Sequence, residues 1–150
     1  MQKTQYQALD SNARGSWAEQ FAERWLVNQG LLVHSKNFQR RGGELDLVLR
    51  DAANKRWVFV EVKYRKRNAR VAAIECITAR KQQRLRRTAN LFLQSINDQS
   101  SEARIDVLII TPKAPSHVTN GPNYSHDGHR QQIVNGYHVL WIENAIDGER

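Results

Sequence analysis

With 150 residues and 40% hydrophobic content, the chain is long enough for one domain with a real core and too short for two comfortable ones. A formal net charge of +8 and a pI near 10.1 favour a polyanionic partner, and no segment approaches the ~20 apolar residues that span a bilayer. The start, residues 1–7, has no apolar run of signal-peptide length, and the lone Cys76 excludes an internal disulfide and reads as a small buried hydrophobe. The expectation is a single cytoplasmic domain, 1–150, with no membrane attachment.

Residues 1–12 read as a polar lead-in. A helix is predicted from about Arg14 or Ser16 to Gln29, stopped by Gly30, with Trp17, Ala18, Phe21, Ala22, Trp25 and Leu26 on one apolar stripe. Glu19 has two readings. It lies at the border of that stripe and could lean over a sheet, and Ser16-x-x-Glu19 is also a capping box with Ser16 as N-cap. Residues 31–38 read as a strand, with His34 half-buried. Arg40 and Arg41 follow, and Gly42-Gly43 permit a tight turn.

Residues 43–48 and 57–63 read as two neighbouring strands joined by a polar connector, 51–55. By alternation, Leu45, Leu47 and Leu49 share one face of the first strand, with Glu44 and Asp46 on the other. In the second, Val58, Val60 and Val62 oppose Trp57, Phe59, Glu61 and Lys63. If residue 51 pairs with 56, Asp46 faces Glu61 with Cβ atoms about 5 Å apart; a register one residue away sends Glu61 to the opposite face. Two adjacent carboxylates need a compensating cation, and Mg²⁺ or Mn²⁺ suits such hard oxygen donors. Lys63 would sit on the same face, able to hold a water and offset charge on a phosphate.

From Lys63 to Arg87 there are ten basic residues against the single acid Glu75. That window carries +9, which leaves −1 for the rest of the chain. Arg65, Lys66 and Arg67 form a basic turn. A helix is predicted from Thr78, its N-cap, to Asn97, burying Leu85, Ala89, Phe92, Leu93 and Ile96. Arg80, Lys81, Arg84 and Arg87 join Arg40, Arg41, Arg65, Lys66 and Arg67 as candidate nucleic-acid contacts. Residues 104–110 read as a central strand, because they are almost continuously apolar. Residues 112–136 read as a long, mobile loop, and 137–146 as a closing strand with a short turn.

The order helix, strand, strand, strand, helix, strand, with acids on the second and third strands and a lysine two after the last acid, resembles the PD-(D/E)xK nuclease core. More narrowly, Gly15-Ser16-Trp17-Ala18-Glu19-x-x-Ala22, Gly43-Glu44-Leu45-Asp46-Leu47, Val58-Phe59-Val60-Glu61-Val62-Lys63 and Arg104-Ile105-Asp106-Val107 resemble the YraN-like bacterial family of predicted nucleases. That family is itself similar to archaeal Holliday junction resolvases. The resemblance covers residues 14–110 and resumes at 139–146. It implies an α/β, restriction endonuclease-like αβββαβ core whose central mixed sheet is flanked by helices. It further implies metal ligation by Asp46 and Glu61, a catalytic role for Lys63, and Glu19 as a further ligand, above its capping reading. The chain departs from the pattern at Leu45, where a proline often precedes the aspartate, and in the length of 112–136.

The function expected on these grounds is hydrolysis of DNA phosphodiester bonds by a metal-dependent endonuclease using Mg²⁺ or Mn²⁺. Branched or structured DNA is the better guess, because no groove-reading motif is visible. DNA is expected over RNA, in a repair or recombination setting, and a resolvase cutting two strands would need two sites, hence a homodimer. The alternatives are a non-catalytic nucleic-acid-binding module of a larger assembly and, more weakly, an RNA-directed protein.

Overall fold

In a computed structural model, residues 10–66, 77–99, 101–112 and 118–146 are described. Arg67 and Cys76 lie outside these residues, as do residues 1–9 of the lead-in. The elements are helix α1 (Ser11–Asn28), strands β1 (Leu31–Arg40), β2 (Gly43–Asp51) and β3 (Arg56–Tyr64), helix α2 (Ala79–Ser95), and strands β4 (Ala103–Thr111), β5 (Asn123–Tyr124), β6 (Arg130–Val134) and β7 (Tyr137–Ile146). The first six follow the αβββαβ order of a restriction endonuclease-like core. All strands belong to one mixed sheet in the order β1-β2-β3-β4-β7-β6-β5. Among the described residues, only the β3–β4 pair is parallel. A parallel pair needs a crossover, and α2 is carried in it.

Each helix covers one face. Ala18, Phe21, Ala22, Trp25 and Leu26 of α1 pack on Leu47, Leu49, Val58, Val60, Leu108, Ile110 and Val139. Leu85, Ala89, Phe92 and Leu93 of α2 pack on Val48, Trp57, Phe59, Ile105, Val107 and Ile109. Strands β3 and β4 are therefore buried on both sides, which explains their nearly unbroken apolar sequences. Trp17 and Trp25 serve the α1 core: Trp17 stacks among Phe21, Tyr64 and Tyr137, and Trp25 meets Trp141 edge-on.

Strands β2 and β3 pair with Asp51 opposite Arg56 and Leu47 opposite Val60, the register whose continuation places Asp46 opposite Glu61. The ladder stops at Leu47. On the other side of β2, Asn37 has φ +53° and falls between the Lys36–Leu47 and Phe38–Leu45 pairs, opposite Asp46. A left-handed residue inside a strand twists it locally. Simple alternation consequently fails there: Leu45 packs with Val48 on the α2 face, whereas Leu47 and Leu49 stay on the α1 face. The expectation that all three leucines share a face is corrected by this irregularity.

Two boundaries also differ from expectation. Helix α1 begins five residues before Ser16, capped by Asp10, whose Oδ1 accepts the Ala13 N–H at 2.8 Å. Ser16 is thus interior, where its hydroxyl accepts from Gln20 Nε2, and the capping-box reading of Glu19 falls. The 112–136 segment, expected as a mobile loop, contains β5 and β6; residues 113–117 lie outside the described part. Strand β6 pairs along β7 from Arg130–Trp141 to Val134–Tyr137, so its polar residues make ladder hydrogen bonds that composition does not reveal.

Candidate active site where strands β2 and β3 part

The end of the β2–β3 ladder is where the acids gather. Asp46 lies one residue past the last pair, and its Oδ2 accepts the Val62 N–H at 2.9 Å, replacing the carbonyl that a continued ladder would have offered. This fixes the carboxylate against β3. Glu61, on the α2 face of β3 by alternation with Trp57 and Phe59, is only 5% exposed. Its Oε1 meets two ammonium groups: Lys63 Nζ at 3.1 Å and Lys81 Nζ at 2.7 Å.

Lys81 enters from the start of α2. Thr78 caps that helix, its Oγ1 accepting the Lys81 N–H at 3.2 Å, while Gln82 Nε2 donates to the Ile77 carbonyl. The start of the helix is thereby fixed, and the Lys81 side chain reaches Glu61 on β3 from it. Glu19 reaches the cluster from α1 through Asn37, whose amide, oriented to satisfy its neighbours, donates to Glu19 Oε2 and Glu44 Oε1, each at 3.1 Å.

The electrostatics follow from packing like charges in a dry place. Burial, then the adjacent Glu61 charge, push the Asp46 carboxyl up to about 8, although the Val62 N–H opposes this. Burial also raises Glu19; the charges of Glu44 and Glu61 add to the effect and the Asn37 hydrogen bond opposes it. Lys63 is lowered by burial and by its neighbour Lys81. Burial would lower Lys81 too, but its contact with Glu61 outweighs that and leaves it raised.

The sequence-predicted residues divide into two sets. Asp46, Glu61 and Lys63 come together, joined by Lys81, which sequence reasoning had grouped with the nucleic-acid contacts. Glu19 acts on them by charge, through Asn37 and Glu44. Asn37 carried no signal beyond the tolerance of asparagine for positive φ, whereas Glu44 could have been found from its spacing two residues before Asp46. Among the described residues, the other basic candidates stand outside the cluster. Arg80, Arg84 and Arg87 are exposed on α2. Arg41 is exposed in the β1–β2 turn, and Arg40 lies over the Phe38 ring at 4.2 Å. Arg65 Nη1 donates to the Tyr64 carbonyl and Lys66 is exposed. The turn and α2 are in close contact: a methyl on Gly43 would collide with Thr88 Oγ1, and one on Gly42 would stand 3.9 Å from Arg87 Nη1.

Two apposed carboxylates with Asp46 held above its ordinary range suit a divalent cation, since Mg²⁺ typically takes one or two protein carboxylates and completes its shell with water and phosphate. Asp46 and Glu61 would hold it. Among the described residues no group of three or more His, Cys, Asp and Glu side chains is arranged to hold an ion.

The fold is a mixed α/β sheet with the αβββαβ core, and the candidate site is an acid pair, Glu61 buried and Asp46 half-buried, with two lysines at the sheet's opening. The family model described as "Uncharacterised protein family UPF0102" matches residues 18–110, and the chain belongs to that family, the YraN family. Similar proteins include UPF0102 proteins of Marinobacter nauticus, 34% identical over 93% of this chain and 96% of the relative, and of Serratia proteamaculans, 38% identical over 77% and 98%. The UPF0102 protein of Photobacterium profundum is 40% identical over 68% of this chain and 82% of its own. Among the described residues no helix is long and apolar enough to cross a membrane.

Proposed function

We infer that the protein is a metal-dependent endonuclease that hydrolyses DNA phosphodiester bonds. The observation that carries this reading is the contact of Asp46 and Glu61 in the opening of the sheet, with Lys63 on the Glu61 carboxylate. Mg²⁺ or Mn²⁺, when bound, would polarise the scissile phosphate and lower the pKa of a bound water. The chain's own residues would do the rest. The Val62 N–H keeps Asp46 turned towards β3, so the acid pair is preorganised. Glu61 aligns Lys63, whose ammonium positions the attacking water and faces the charge that grows on the phosphate. Burial of Glu61 keeps bulk water from screening these interactions.

Arg80, Arg84 and Arg87 on α2 and Arg41 in the adjoining turn would grip the flanking backbone, contacts that supply affinity and little sequence information. Branched or otherwise structured DNA, met in repair or recombination, is the proposed substrate, taken by a homodimer if two strands are cut. Lys81 favours a second reading. With two ammonium groups the Glu61 carboxylate is already compensated, which suits a non-catalytic nucleic-acid-binding module as well.

The test is cleavage of labelled linear, nicked, flapped and four-way DNA with Mg²⁺ or Mn²⁺, with binding followed in the same samples. Metal-dependent cutting by the wild type, lost in Asp46→Ala and Lys63→Ala while both still bind DNA, is expected. Tight binding without cutting, unchanged by either substitution, would replace the nuclease by the binding module.

A further inference from the structure

Resting on that reading of the acid pair, we propose that Lys81 is a resident, displaceable cation: it compensates Glu61 in the metal-free protein and must leave before a divalent ion can bind, so it sets the metal affinity of the site. The two lysines on Glu61 Oε1 are not equivalent. Lys63 is two residues away on the same strand with its side chain 18% exposed, and has little room to withdraw. Lys81 comes from α2, makes the shorter contact at 2.7 Å, and its side chain is 39% exposed. Its backbone N–H is hydrogen-bonded to Thr78, but its side chain is partly open to solvent, and Arg80 and Arg84 on the same helix are exposed.

Geometry crowds the three cations. An ion bound to Glu61 Oε1 at about 2.1 Å would stand within about 5 Å of both ammonium groups, so one of them has to withdraw, and Lys81, the more exposed, is the one with room to do so. A double charge and a single charge that close, beside a nearly buried carboxylate, repel strongly. Once withdrawn, the ammonium lies on the exposed basic side of α2, where a phosphodiester backbone would receive it. The same residue thus holds the site closed without metal and joins the substrate-facing charges with it.

The experiment is a Mn²⁺ titration of the full chain, stripped of metal with EDTA and dialysed, with free Mn²⁺ read by electron paramagnetic resonance. Wild type, Lys81→Met, Lys81→Gln and Arg84→Gln are compared at constant pH and salt, each checked for folding by circular dichroism. Lys81→Met and Lys81→Gln should bind Mn²⁺ at least tenfold more tightly than wild type, and Arg84→Gln, which removes one exposed charge from the same helix, less than twofold. Equal or weaker binding by both Lys81 variants, or an equal gain in Arg84→Gln, overturns the proposal and leaves the metal reading standing. Binding by the Lys81 variants alone supports it. Absence of binding in every variant, including wild type, overturns the metal reading and the proposal together.

Discussion

Asp46 shows how one carboxyl can couple the site to stability. Its folded value of about 8 lies above the ordinary 3.8, so between those pH values the folded chain keeps a proton that the unfolded chain has released. Stability must then fall as pH rises from about 4 to about 8, by at most about 1.4 kcal/mol per pH unit. Denaturation in EDTA should show this slope in wild type and a flatter one in Asp46→Asn, which is expected to be the more stable protein near pH 8. Equal slopes would mean that Asp46 ionises in both states alike. Asp46, Glu61 and Lys63 were legible because one hairpin register brings them together, although the strict alternation expected of β2 breaks at Leu45. Lys81 was concealed by its company: among ten basic residues, nothing local distinguishes the one that turns inward from the ones that face solvent. Gly43 carries a further expectation. Since an added methyl meets Thr88 Oγ1 and lies 3.4 Å from the Arg84 carbonyl, Gly43→Ala should cost roughly 1–3 kcal/mol, with part restored by Thr88→Ala in a double-mutant cycle.

Among the elements, the two helix starts had unequal signals. Thr78 was found as the cap of α2 because it stands directly before a strongly amphipathic run. Removing its hydroxyl in Thr78→Ala should cost about 1 kcal/mol in chemical denaturation, and no loss would show that another group caps the helix. Ser16 misled because a capping box is a local pattern that a longer helix overrides; Asp10 supplies an earlier cap, and the helix runs through. The β2 irregularity was illegible for a related reason. Nothing in Leu45-Asp46-Leu47 announces that Asn37, across the strand pair, adopts a left-handed φ. Strand β4 is tied to β7 by Asp106, fully buried, which accepts from Arg104 Nε at 3.1 Å, Trp141 Nε1 at 2.9 Å and the Asn144 N–H at 2.8 Å. Asp106→Ala leaves the nearly buried Arg104 without its main partner and should destabilise by about 3–5 kcal/mol, whereas a loss below 1 kcal/mol would show that Glu143 compensates.

For the whole molecule, charge and topology lead to different expectations. The αβββαβ core followed from the order of apolar runs, but the β5–β6 addition did not, because Gln131 and Gln132 look like loop residues until β7 offers them a ladder. The basic excess predicts binding to DNA that weakens steeply with salt. Replacing Arg84 and Arg87 together by alanine should reduce the slope of log K against log salt by about 2, if each neutralises one phosphate. An unchanged slope would place the DNA elsewhere on the surface. The same comparison on RNA of equal shape separates contacts to phosphate from contacts to the 2′-hydroxyl.

Placing α2 in the crossover between β3 and β4 also orders events during synthesis. Asp46, Glu61 and Lys63 leave the ribosome within one hairpin, and Lys81 follows eighteen residues behind Lys63. Lys81 is therefore the last of the four charges to be made, and the charge balance at Glu61 is completed only by the segment that follows the hairpin: a chain stopped before residue 81 lacks one of the two ammonium groups that meet that carboxylate.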